Sequence, residues 1–375
     1  MDQRAWVATR KGLFEMRRRA GSWAIARVSF LGEPVTMVLP PHGAGRMLAA
    51  LNLGHFGVKL HASDDAGVTW HEVTTPTYPA QPDGEAAGGV AWKLMQIWSL
   101  EAGRGGVSAE VGGGVAGGEG STIWAGTLPG GLFRSADGGQ SWQLVESLWN
   151  QPGRAAWFGG GYDAPGIHSI CPHPSRADEL LVGISCGGAW VTRDDGASWA
   201  LQATGMHAAY MPPGQADDPN TQDPHLIVRC PAQPDVLWCQ HHNGIWRSTD
   251  NARSWQEVTG VPVSNFGFAV AVHPEHADTA WFVPAQADQR RVPVDGALVV
   301  NRTRDGGHSF ETLRTGLPRE NCYDLVYRHG LALDPSGHCL LMGSTTGSLW
   351  ASDDGGDRWT AVAAHLPPIY AVRFG

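Results

Sequence analysis

A chain of 375 residues could hold two or three domains or one repeat fold, and its 42% hydrophobic content is enough for a real core. Its 50 glycines against only 17% charged residues favour many short strands and tight turns over long surface helices. The net charge of -9, with no basic cluster beyond Arg17–Arg19, argues against a nucleic-acid surface, and no apolar run approaches the roughly 18 residues of a membrane span.

The N-terminal stretch MDQRAWVATRKGLFEMRRR lacks the apolar segment of a secretory signal, so the expected location is cytoplasmic. It reads as three strands, AWVATR, GLFEMR and WAIARV. Further along, four-strand periods follow one another. IHSICPH (167–173), ELLVGIS (179–185), GAWVTR (188–193) and SWALQ (198–202) make one, and HLIVRC, VLWCQ, GIWRS and SWQEV the next. A later period reads LVYRHGLAL, CLLMGS, GSLWAS and RWTAV, and one strand remains at the end, IYAVRF (369–374). The glycine-rich stretch 103–120 interrupts the third period as a surface insertion and lacks the GK[ST] of a phosphate loop. The six cysteines form no CxxC pair and are expected as buried free thiols.

Between the third and fourth strands of six periods the same word recurs. It is SDDAGVTW (63–70), SADGGQSW (135–142), TRDDGASW (192–199), STDNARSW (248–255), TRDGGHSF (303–310) and SDDGGDRW (352–359). The steps between closing aromatics are 72, 57, 56, 55 and 49 residues, and an eroded copy ends at Trp23. The Asp carboxylate is expected to accept backbone N–H groups two or three residues on, the Gly to adopt a positive φ, and the aromatic to pack between neighbouring sheets.

This word resembles the Asp-box, or BNR repeat, of sialidases, sortilin-type receptor domains, xyloglucanases and a photosystem II assembly factor. The resemblance implies an all-β propeller, with the boxes on the face away from the ligand. The count of periods gives seven four-stranded blades in one domain, residues 1–375, with the last strand completing the first blade and closing the ring. True sialidase activity is not expected. The Arg-Ile-Pro motif and a convincing third arginine are missing, and those propellers are six-bladed.

Resemblance also places the ligand at the axis, beside the connections 75–91, 147–166 and 203–224. Aligned on the dipeptide x-Pro that ends several innermost strands, His168, His225 and His329 share one position, with Gln96 on a looser match and Tyr370 from the last strand. Three blades with His at one level could hold a divalent metal (Mn, Fe, Ni or Zn). They could equally form a metal-free site with a general base, or be structural histidines. His241 and His242, at a turn on the same face, and Asp163, just before His168, are the candidate catalytic residues. Trp157, Tyr162 and Tyr210 on the long loops, with Gln96 and Tyr370, are candidate contacts to a small-molecule or glycan ligand. Two functions remain open: an enzyme, hydrolase or lyase, acting on a carbohydrate or other polar small molecule, and a non-catalytic binding or assembly propeller.

Overall fold

A computed structural model describes residues 3–42, 45–82, 90–103 and 122–375. All but the first residue of the predicted insertion, and residues 83–89 of the first long connection, lie outside them.

Seven four-stranded antiparallel sheets stand in sequence order around an axis. The innermost strands of blades 1 to 7 are Ile369–Phe374, Val35–His42, Gln96–Ala102, Ile167–Pro172, Pro224–Arg229, Gly267–Val272 and Leu331–Leu333. Blade 1 draws its inner strand from the C-terminus, which pairs antiparallel with Gln3–Thr9, so the ring closes as the strand count predicts. Closure leaves no blade with an unmatched neighbour. Each interface between blades is a packed apolar layer: Leu226, Trp238 and Ile245 of blade 5 share one cluster with Val270, Ala280 and Phe282 of blade 6. All six cysteines are buried and unbridged. Among the described residues no helix is long and apolar enough to cross a membrane.

The repeated turns explain their residue choices. In the fourth blade Asp194 Oδ1 accepts the N–H of Ser198 at 2.8 Å, and Asp194 Oδ2 accepts the Ser198 hydroxyl at 2.5 Å. Thr192 Oγ1 donates to Asp194 at 2.7 Å and accepts the N–H of Gly196 at 2.8 Å. The carboxylate thus reaches three and four residues on, one further than expected; in the second blade it takes Val68 and Thr69. The first hydroxyl residue closes the shorter loop. Gly196 stands at φ 87°. In the fifth blade Ala252 holds the same left-handed position at φ 65°, where only glycine is free of strain.

In blades 2 to 5 the closing tryptophan ties the blade to the one before it. The indole N–H of Trp142 donates to Thr74 O, that of Trp199 to Ser147 Oγ, and that of Trp255 to Gln202 O. Blade 1 departs from the pattern: its third and fourth strands meet at Ala20-Gly21, both at positive φ, a tight hairpin in place of the longer turn. Trp23 keeps the packing role, edge-on to Phe374 at 6.0 Å.

These carboxylates make stability acid-sensitive. Hydrogen bonds from Ser198 and Ser309 hold Asp194 and Asp305 at about 2, below their ordinary 3.8. A folded-state value below the unfolded one stabilises above pH ~4, and that contribution is lost as pH falls toward 2. Asp194→Ala is therefore expected to lower the melting temperature at pH 7, with the gap to the parent shrinking below pH 4. Thermal melts followed by tryptophan fluorescence check this; an equal gap at every pH contradicts it.

Candidate functional site at the propeller axis

Antiparallel pairing puts the repeated turns of blades 2 to 7, and the tight hairpin of blade 1, at one end of the ring. The starts of the innermost strands and the turns after the second strands lie at the other end, and there six innermost strands break register. The residue left out of the ladder is Tyr370 in blade 1, Thr36 in blade 2, Trp98 in blade 3, His168 in blade 4 and His225 in blade 5. In blade 6 it is Phe268 with Ala269. A bulge re-aims a side chain that regular alternation would send into a blade face. In blade 7 a single helical turn, Arg328–Gly330, stands in its place.

The re-aimed side chains meet at the axis. Trp98 lies edge-on to His168 at 5.4 Å, His225 stacks on Phe268 at 4.4 Å, and Phe268 meets Tyr327 at 5.0 Å. Arg328 spans the middle, its guanidinium 4.8 Å from the Trp98 ring and 5.4 Å from Phe268. Above it opens a cavity of about 460 Å³, lined by Thr36, Gln96, Trp98, Tyr162, Tyr370 and Arg328 among others. Its size lies within the roughly 300–1,000 Å³ of small-molecule sites.

Three polar side chains converge beside this axis: Asp223, His225 and His242. Asp223 Oδ2 lies 3.4 Å from His225 Nε2 and 3.4 Å from His242 Nδ1. Asp223 Oδ1 accepts the Cys186 N–H at 3.1 Å. Burial alone would push the Asp223 carboxyl up; donation from the His225 and His242 ring nitrogens, wherever they carry a proton, and the charge of Arg328 pull it well below the usual range. His225 Nδ1 donates to Gly267 O at 2.6 Å, which fixes the ring and turns Nε2 toward the carboxylate. His241 sits beneath, its Nε2 accepting the Asp223 N–H at 3.1 Å.

The predicted metal trio is not the set that converges. His225 belongs to it, but the atoms gathered within 4.8 Å of one another are those of Asp223, His225 and His242. His329 lies on the helical turn and not on a strand, and its Nε2 is bonded to His168 O at 2.8 Å. His168 bonds Ser169 Oγ through Nδ1 and keeps a buried Nε2 without a partner. Burial holds both rings neutral, His329 down at about 3.

Asp163 is exposed on the loop, and the carboxylate at the cluster is Asp223. His241, fully buried, orients the Asp223 backbone, whereas His242 joins the cluster. Gln96 lines the cavity, but its loose alignment was two residues early, because Trp98 holds the bulge. Tyr162 and Tyr370 line the cavity. Tyr210 packs on His242 at 4.9 Å. Trp157 is buried against Trp190, with its N–H on Asn220, and so braces the loop.

Sequence reasoning missed Asp223, Arg328, Arg291 and Trp98. Asp223 stands two residues before His225 in QDPH, and Arg328 directly precedes His329. The loop carrying Gly160 and Gly161 roofs both features: a Cβ on Gly160 would stand 2.8 Å from Ser185 Oγ and 3.0 Å from Asp223 Oδ2, while Gly161 borders the cavity. Gly160→Ala is therefore expected to push the loop off the cluster and lower the melting temperature by several degrees. Gly214→Ala, where a Cβ meets nothing within 4 Å, is the matched control. Equal melting temperatures for the two variants would contradict the close fit.

Fold and site together define a seven-bladed β-propeller with an axial cavity lined by aromatic and polar side chains. No protein-family model and no curated protein matches the chain. Solved structures do. A GH74 xyloglucanase from Xanthomonas campestris aligns over 96% of this chain and 53% of its own, with TM-score 0.63 and 17% identity. A YCF48 protein bound to a D1 peptide aligns over 93% of this chain and 89% of its own, with TM-score 0.54 and 14% identity. YCF48 from Cyanidioschyzon merolae gives 88% and 85%, with TM-score 0.51 and 13% identity. The chain thus spans about half the length of the GH74 xyloglucanase. At these identities the likeness is one of fold.

Proposed function

We propose that this propeller holds a divalent metal ion at Asp223, His225 and His242, and takes up a small polar molecule, such as a carbohydrate, in the axial cavity. Zn, Fe, Mn and Ni all accept such an imidazole and carboxylate set. In this reading the chain is a hydrolase or lyase, and an ion held by these three residues would supply a Lewis acid or an activated water.

One observation carries the proposal. With Nδ1–H donated to Gly267 O, a neutral His225 turns a lone pair of Nε2 toward Asp223 Oδ2 at 3.4 Å. Two acceptors face each other, and a cation between them removes the repulsion. The separation exceeds the roughly 2.7–2.9 Å of a charge-assisted hydrogen bond. It matches the ~3.4 Å between two donors on a tetrahedral ion at about 2.0–2.1 Å. The His242 separation has the same length.

Elemental mass spectrometry on untagged protein tests the site. Near-stoichiometric metal is expected in the parent and in His329→Ala, and at least a tenfold loss in Asp223→Ala and in His242→Ala, with circular dichroism to verify folding. A metal-free parent would sink the metal site. Chelator-sensitive turnover across a panel of oligosaccharides would support the enzyme reading.

A second reading, a non-catalytic binding propeller, is favoured by the near end-to-end alignment with YCF48, against half-length coverage of the GH74 enzyme. Metal binding without turnover of any glycan in the panel is what that reading expects.

A further inference from the structure

We infer that Arg328 is a carboxylate-recognising residue at the floor of the axial cavity, and that the molecule taken up there is a small acid on a ring or polyol body, of the sugar-acid class. This rests on the axial cavity being the ligand site, but not on the metal.

Arg328 is 6% exposed, so its charge is almost wholly removed from water. Buried cations are normally paired. Among the described residues this one makes no hydrogen bond and no ion pair, and its buried Nε has no partner. Its contacts are the faces of Trp98 and Phe268, which hold the guanidinium plane without satisfying its donors. Asp223, the carboxylate whose charge acts on it most, is already engaged by His225, His242 and the Cys186 N–H.

The guanidinium lines the cavity, and no Asp or Glu is among the described residues that line it with Arg328. A second arginine, Arg291, lies at the same wall and bonds Asp288. In a chain of net charge -9, this is a positive pocket without an internal anion.

The shape of the donor set selects the anion. One planar guanidinium offers a parallel pair of N–H groups, the complement of a single carboxylate. A phosphate would call for more convergent donors than the one unpaired arginine provides. The walls select the body. Trp98, Tyr162, Tyr327 and Tyr370 give flat faces, and Gln96 gives an amide that bonds hydroxyls.

Isothermal titration calorimetry with galacturonate, glucuronate, their methyl esters, galactose and inorganic phosphate tests this, on metal-loaded and on chelator-treated protein. At least one acid is expected to bind about tenfold or more tighter than its own ester and than galactose, in both preparations, with affinity falling as salt rises. Gly161→Asp supplies an internal anion, because a Cβ there would stand 3.9 Å from both terminal nitrogens of Arg328. That variant is expected to melt at a higher temperature than the parent and to bind the acid at least tenfold more weakly. Arg328→Met is expected to lose the preference for acid over ester.

Equal binding of acid and ester, no binding of either acid, or phosphate binding in preference to both acids would each overturn the inference. The ester comparison uses the parent protein and stands even if a variant fails to fold. An acid preference in protein that never carries metal would remove the metal reading and leave this one. Metal-loaded protein with no acid preference would do the reverse.

Discussion

One backbone device underlies the axial site: the extra residue at the start of six innermost strands. A regular strand would alternate its side chains between the two faces of a blade, and both faces are filled by neighbouring blades. Breaking register at a common level turns Tyr370, Thr36, Trp98, His168, His225 and Phe268 out of those interfaces. The ring of repeated turns at the opposite end holds the blades at fixed spacing, so the side chains meet at a defined distance. Scaffold and site occupy opposite ends of the same strands, and each end can vary without disturbing the other.

Burial governs the chemistry of the centre. His168, His225 and His329 are held neutral there, primarily by desolvation. Neutral imidazoles suit metal binding and hydrogen bonding better than proton transfer near pH 7. Asp223 and Arg328 are the charged groups buried beside them. The carboxylate gathers two imidazoles and a backbone N–H, while the guanidinium gathers only aromatic faces. On that asymmetry rest the two proposals, a cation beside the carboxylate and an anion at the arginine.

The fold was legible because its signal repeats. Asp, Gly and the closing aromatic serve the same turn in blade after blade, and the unmatched last strand revealed ring closure. The level of His168 and His225 was legible too, because x-Pro marks the far end of their strands. Their direction was not, since a bulge adds one residue to a strand and leaves no mark in composition. Blade 3 lacks that proline, so its sequence does not mark the level of Trp98. Asp163 drew attention through a loop rich in glycine and tyrosine, whereas Asp223 lies just before Pro224 at the mouth of its strand. Arg328 was hidden by its neighbour His329, and nothing local distinguishes a buried arginine from a surface one.

The central claim is that a metal ion lies between Asp223 and the two imidazoles. Anomalous X-ray diffraction from crystals of the purified protein, recorded on either side of the Zn, Ni, Fe and Mn absorption edges, tests it most directly. The account predicts one peak about 2.0–2.2 Å from Asp223 Oδ2, His225 Nε2 and His242 Nδ1. No anomalous signal there, with the imidazole nitrogens drawn in to ~2.8 Å from the carboxylate, would show a protonated histidine–aspartate pair and contradict it.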